Sequence, residues 1–285
     1  MPHFWSKNKG VTEHYILFPM KKVFFQFLVL VILFLTLFGG LSSIDFMKYW
    51  HLQSINRRTE DKIGQLVIDG IKKSNKEINN DSVQVVLNTI KSRICIANSI
   101  SPADIAIHLV RSDEVNAFAI PGHHIIIYTG LIDRCDSVSE LCGVIGHEMG
   151  HIQLNHVMKR LLNELGIGLL AAVASNGNSA VIGQIIKILS STAFARKQES
   201  EADKISVRYL EQAHINPKGF ANIMLKLADM HAGIPKEMEW ISTHPDSKKR
   251  ADTILSIIHA DQSNYTPVLT GSEWLVLKNT ANSGY

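Results

Sequence analysis

Residues 147–151 of the 285-residue chain read His-Glu-Met-Gly-His. Two histidines four apart fall on one face of an α-helix, so both imidazoles can reach a single ion. Glu148 projects beside them, where a carboxylate can take a proton from a zinc-activated water and pass it to a leaving amine. The spacing therefore suits metal-assisted hydrolysis. With 13 His in the chain, random placement would produce this pattern about 0.03 times, so two ordinary helical histidines are a poor account of it. Gly146 precedes the motif and Gly150 lies within it. Glycine is a poor helix former, so its use here predicts close approach of a backbone or a ligand.

A third ligand has to come from elsewhere. The longer pattern, with glycine three and histidine six residues beyond His151, is excluded because Leu154 and Val157 stand there. His156 would point about 140° away from His151 around a continuous helix, which predicts a structural or surface histidine. The better candidate is Gln198-Glu199-Ser200-Glu201-Ala202-Asp203. Glu199 and Asp203 share a helical face: Glu199 can coordinate zinc, and Asp203 can orient a ligand histidine through its second ring nitrogen. Glu201 points roughly 200° from Glu199 and is the weaker choice.

Rigid elements must hold these side chains. Ser137-Val138-Ser139-Glu140 is a capping-box sequence that predicts a helix from there to about Arg160. Another helix is expected from about Val181 through the charged stretch at 196–203 to Gln212. Upstream, Asp81 or Ser82 can cap a helix with Val83, Val86, Leu87, Ile90 and Ile94 on one face. Three β-branched runs at 105–110, 115–120 and 125–129, with Pro121-Gly122 between the last two, predict a small antiparallel sheet. Residues 161–174 are mostly apolar but too short to cross a bilayer. They read as a buried helix, or as a surface touching membrane or a cleft. Asn216-Pro217 and His244-Pro245 start two further helices. The fold class expected is α+β and mainly helical.

Residues 23–41 carry no charge and one strongly polar residue, Gln26. As a helix they would span roughly 28 Å, close to the ~30 Å of a bilayer core. Lys7, Lys9, Lys21 and Lys22 precede them against Glu13, which predicts a cytoplasmic N-terminus and an exported remainder. The segment reads as an uncleaved signal anchor or, with translation starting at Met20, as a cleavable signal peptide. Those four Lys and one Glu account for the whole formal charge of +3. The rest of the chain is neutral and offers no electrostatic case for a nucleic-acid partner. Cys95, Cys135 and Cys142 are odd in number and form no Cys-x-x-Cys pair. Neither a disulfide framework nor a zinc ribbon is indicated, and buried thiols are expected, one disulfide remaining open.

Together these stretches resemble the HtpX/BepA-like membrane-associated zinc metallopeptidases, relatives of the type I CAAX prenyl protease. The resemblance is carried by residues 114–132 (EVNAFAIPGHHIIIYTGLI), 144–156 (VIGHEMGHIQLNH), 194–203 (FARKQESEAD) and 242–250 (STHPDSKKR), in order across about residues 80–260. It is nearest to bacterial periplasmic single-domain members. It implies a gluzincin fold whose edge strand binds substrate, and one Zn2+ per chain on His147, His151 and Glu199. Glu148 is then the general base, and Asp203 stands behind a ligand. His244 and Arg250 match active-site positions, His244 donating to the oxyanion or occupying a zinc position in a latent state. Asn116 and Phe118 match the strand that pairs with substrate backbone. One departure is His123-His124, where many relatives carry a glycine; the pair reads as a turn variant or as a surface or secondary metal site.

The organisation expected is a tail with signal anchor or signal peptide (1–41, span 23–41), a linker (42–60), the metallopeptidase domain (61–262) and a C-terminal tail packing on it (263–285). The function implied is endopeptidase cleavage of unfolded or misassembled envelope proteins, a protein quality-control role. The implied location is the bacterial inner membrane with the catalytic domain in the periplasm, or the periplasm as a soluble protein after signal cleavage. The alternative is a chaperone-like envelope assembly factor that uses the same cleft with little proteolysis.

Overall fold

The computed structural model describes residues 17–43, 56–74, 76–231, 240, 243–258 and 265–283. Residues 1–16 of the expected cytoplasmic tail, most of the expected linker and residue 242 lie outside them. The chain divides into two units, Met1–Ser54 and Ile55–Tyr285. In the first, α1 (Leu17–Ser43) contains an 18-residue window, Lys22–Gly39, with mean hydropathy 2.3. Phe24, Phe27, Leu30, Phe34 and Phe38 are all exposed on it. By length and composition this helix can cross a membrane.

The second unit begins with two amphipathic helices. α2 (Arg57–Ser74) buries Ile63, Val67, Ile68 and Ile71 along one stripe. α3 (Asp81–Ala97) buries Val83, Val86, Leu87, Ile90 and Ile94. Its cap is Asn80, whose side chain accepts from the amides of Ser82 and Val83, one residue earlier than the sequence suggested.

Three strands follow, β1 (Ala106–Val110), β2 (Ala117–Ile120) and β3 (His124–Tyr128), in the order β1-β3-β2. β2 and β3 form the expected antiparallel hairpin, turning through Gly122 (φ 76°) and His123 (φ 62°). β1 pairs with β3 in parallel. The sheet is therefore mixed and not wholly antiparallel. The chain reverses twice between β1 and β3, so pairing those two leaves them parallel. Alternation in the sequence reveals the reversals but not which strands become neighbours. The Tyr128 amide donates to Asn116 O at 3.0 Å. This phase directs the main chain of Asn116, Phe118 and Ile120 at β3, and that of Ala117 and Ala119 toward the outer edge.

After the short α4 (Thr129–Arg134) comes α5 (Val138–Gln153), capped by Ser137 Oγ. It stops well before Arg160. Asn155 takes a left-handed conformation (φ 55°), which asparagine tolerates better than most residues, and α6 (His156–Asn176) leaves in a new direction. α6 contains the apolar stretch 161–174, interrupted at Gly166 (φ 74°); it buries Leu161, Leu170, Val173 and Ala174 and exposes Ala171 and Ala172. The single helix expected from Val181 to Gln212 is also two, α7 (Ser179–Ser191) and α8 (Arg196–Gln212). Between them Thr192 is extended, and the Phe194 amide donates to Thr243 O. α9 (Lys218–His231), α10 (Ser247–Ile257) and α11 (Gly271–Asn282) complete the unit. Lys278 of α11 donates to the carbonyls of Ile132, Asp133 and Cys135, which fastens α11 to the end of α4. Cys95, Cys135 and Cys142 are free and buried.

The packing that matters most for the site is α5 on α8. A Cβ at Gly150 would lie 3.0 Å from Ala202 Cα, and one at Gly146 would lie 2.9 Å from Ser206 Oγ. The glycines of the motif thus admit a neighbouring helix backbone. That approach brings Glu199 and Asp203 to the two histidines.

Candidate metal centre

α5 delivers His147 and His151, α8 delivers Glu199, and the segment before α10 delivers His244. Their ligand-type atoms all lie within 4.8 Å of one another, and all four residues are at most 1% exposed. His147 Nε2 and His151 Nε2 are 3.0 Å apart. Glu199 Oε2 is 3.6 Å from His147 Nε2, and Glu199 Oε1 is 3.5 Å from His151 Nε2. His244 Nδ1 sits 3.0 Å from Glu199 Oε2 and 3.2 Å from His147 Nε2.

A second ring of groups holds these donors. Asp203 Oδ1 is 3.1 Å from His147 Nδ1, which leaves the Nε2 lone pair facing the centre. Arg250 donates to both oxygens of Asp203, at 2.8 and 2.6 Å, and its Nη1 touches Glu199 Oε2. His151 is held differently: its Nδ1 is 3.0 Å from His156 Nδ1, and His156 Nε2 is 3.3 Å from Glu201 Oε2. Phe194 stacks on His151 with ring centroids 3.8 Å apart, and the Arg160 guanidinium lies 3.2 Å over the other part of that stack, on the Phe194 ring.

Glu148 is buried and accepts the Ala119 amide at 2.9 Å. Its other oxygen is 3.5 Å from His244 Nε2. The motif carboxylate therefore touches both the donor cluster and the outer edge of β2. Asn116 and Phe118 lie on that strand but point into packing. Asn116 Nδ2 donates to Ser190 O, and the Phe118 ring meets Tyr128 edge-on at 5.7 Å. The outward main-chain groups belong to Ala117 and Ala119.

The electrostatics favour a cation here. Burial lowers the pKa of His147, and takes His151 and His244 down to about 4, so all three stay neutral with lone pairs available. Burial also opposes ionisation of Glu199 and Asp203. For Glu199 the interactions with His244 and His151 outweigh it, and for Asp203 those with Arg250 and His147 do, so both remain carboxylates. Two imidazole nitrogens facing each other at 3.0 Å beside a carboxylate form a donor set of the kind that holds a transition ion. These residues could hold a metal ion.

Burial also raises Glu148 to about 8, which sets how the metal-free protein responds to pH. His151 and His244 bind fewer protons folded than unfolded between about 4 and their ordinary value of ~6.5, so stability rises with pH across that range. Glu148 binds more protons folded than unfolded between ~4.3 and about 8, so it lowers stability as pH rises through that window. The chelated protein should therefore be most stable near pH ~6.5, and Glu148→Gln should remove the loss from there to pH ~8. Urea titrations of both proteins across this range check it; an alkaline limb that persists in the variant would assign the loss to another group.

Four contributors were not legible as such. A continuous helix would turn His156 away, and Phe194 and Arg160 neighbour His151 only through the breaks at Asn155 and 192–195. Arg160 is 6% exposed, its terminal nitrogens have no hydrogen-bond partner, and its charge acts on Glu199 and Glu148. Ala119 has no chemical signature at all.

The profile of the family described as Peptidase family M48 matches residues 81–258. The metalloprotease LoiP of Escherichia coli is 32% identical over 173 residues, covering 58% of this chain and 68% of the relative. The mitochondrial metalloendopeptidase OMA1 of Bos taurus is 29% identical over 174 residues (56% and 33%). The beta-barrel assembly-enhancing protease of Yersinia pestis is 27% identical over 208 residues (67% and 42%). The chain thus spans about two thirds of the first relative and less than half of the other two.

Proposed function

Because this chain belongs to peptidase family M48, we propose that it is a zinc metalloendopeptidase of unfolded or misassembled envelope proteins, with His147, His151 and Glu199 holding the ion. The observation that carries this reading is the buried donor cluster with Glu148 at its margin. When bound, zinc supplies Lewis acidity and brings water toward a pKa of about 7. Glu148 holds and moves the proton at its carboxylate. Its elevated pKa suits exchange near neutrality. Asp203 fixes the His147 tautomer, and Arg250 positions Asp203 and Glu199. Both act through other groups.

The outer edge of β2 supports substrate binding by strand addition. Ala117 and Ala119 direct main-chain groups to that edge; both are buried in this conformation and the Ala119 amide bonds the proposed base, so an entering peptide must displace that cover. An extended peptide paired on this edge would lie along the donor cluster with little demand on its sequence. Unfolded chains meet that requirement. His244 fills the fourth donor position in this conformation; in our reading a substrate displaces it, after which it can donate to the developing oxyanion. In this reading α1 anchors the enzyme in a membrane, with the peptidase unit on the periplasmic side, the orientation that the flanking lysines favour.

Unfolded casein should be cleaved by the purified protein and spared after treatment with a chelator, with activity restored by zinc. Unchanged cleavage in the chelator would remove the metal from the account. Binding of casein without any cleavage would favour the chaperone-like alternative.

A further inference from the structure

Away from this centre, three side chains repeat its outer logic. His108 of β1 and His124 of β3 are partly exposed and stand on adjacent parallel strands, with His108 Nε2 3.0 Å from His124 Nδ1. On the far side of His108, Nδ1 is 2.6 Å from Glu77 Oε1. Glu77 is held beside β1 by a backbone bridge to Val110. Its second oxygen meets Lys72 Nζ at 2.9 Å. The group borders a surface cleft of about 430 Å³ that Lys72, Glu77, Asn79 and His108 help to line.

We propose that His108 and His124 are ligands of a second metal site, with Glu77 orienting His108, that takes a divalent borderline ion such as zinc, cobalt or nickel. A carboxylate only accepts hydrogen bonds, so His108 Nδ1 carries the proton toward Glu77 and Nε2 keeps its lone pair. The lone pair points at His124. Asp203 and His147 show the same carboxylate–imidazole arrangement at the first site. Burial and the neighbouring His108 depress His124 to about 4, so its ring is neutral, and with its proton moved from Nδ1 to Nε2 it also offers a lone pair at Nδ1. Two nitrogens ~2.1 Å from a tetrahedral ion lie about 3.4 Å apart, which a few tenths of an ångström of side-chain movement would provide. Imidazole ligands favour zinc, cobalt or nickel over magnesium or calcium. His108 and His124 are both partly exposed, so water can reach the remaining positions. His123 does not take part: it turns to a different cleft lined by Asp104, Met149 and Gln153. The His123-His124 doublet is thus split, and only His124 faces a partner histidine.

Equilibrium dialysis of the full chain against zinc chloride tests this without reference to peptidase activity. The wild type should bind two equivalents, and His124→Asn and His108→Asn one each. His147→Ala should also retain one, now at the second site. Glu77→Gln should weaken the second equivalent about 10–100-fold, the effect of losing an outer carboxylate. Should either histidine variant lose its cooperative thermal transition, diethylpyrocarbonate labelling of the wild type decides: zinc should slow modification of His108 and His124. A single equivalent in the wild type that both histidine variants keep, or two in both histidine variants, or labelling unaffected by zinc, would leave only a hydrogen-bonded relay and overturn the site.

Discussion

Glu148→Gln is expected to lower turnover by at least about 10²–10⁴-fold while the protein keeps its metal. Glutamine preserves the shape of the side chain, and its amide oxygen can still accept the Ala119 amide that Glu148 Oε2 now receives at 2.9 Å. The donor cluster does not include Glu148, so the ligands remain. What disappears is a group that can gain and lose a proton near neutral pH. The measurement is initial rate on unfolded casein alongside zinc content by mass spectrometry. Turnover within a few-fold of wild type would remove Glu148 from the chemistry. Loss of both zinc and activity would mean that Glu148 helps to hold the ion.

The other large effect is on stability. Arg250 supplies the cation that lies against both Asp203 and Glu199, and all three side chains are at most 9% exposed. Replacing it with methionine keeps much of the volume and leaves two buried carboxylates without it. Breaking one side of a buried ion pair costs about 3–5 kcal/mol, a large share of the ~5–15 kcal/mol that holds a typical domain together. The chelated protein should suffer most, because a bound cation compensates the same carboxylates. Arg250→Lys should recover only part of the loss: an ammonium carries the charge but cannot reproduce the two bonds to Asp203 at 2.8 and 2.6 Å. Urea unfolding with and without zinc measures this. A change below ~1 kcal/mol in the chelated protein would place the carboxylates' compensation elsewhere.

Local signals carried far in this chain. The spacing of His147, Glu148 and His151 and the pairing of Glu199 with Asp203 are properties of a helix surface, because a 3.6-residue turn puts positions four apart on one face whatever surrounds them. The capping sequence at Ser137, the stripe from Val83 to Ile94 and the Pro121-Gly122 turn are local in the same sense. Each was therefore readable before any tertiary contact was known, as was the apolar run that became α1.

What escaped depends on long-range contact. Whether α5 stops at Gln153 or runs on to Arg160 turns on one left-handed residue, Asn155, whose conformation the surrounding packing selects. That single break moves His156 from the far side of a helix to 3.0 Å from His151. Residues 192–195 likewise leave the helix where the Phe194 amide meets Thr243, a contact across about fifty residues. The sheet is parallel on one side because β1 chose β3 as its neighbour, and nothing within a strand encodes that choice.

The residue types and their helical spacing determined, before folding, that this chain carries groups able to ligate a metal and a nearby carboxylate. The tertiary structure decided which histidine each outer group stands behind, Asp203 with Arg250 behind His147 and His156 behind His151, and set the Ala119 amide against Glu148. The division is physical. A ligand face is set by a dihedral repeat over four residues, whereas an outer-shell partner is set by where two helices and a strand come to rest.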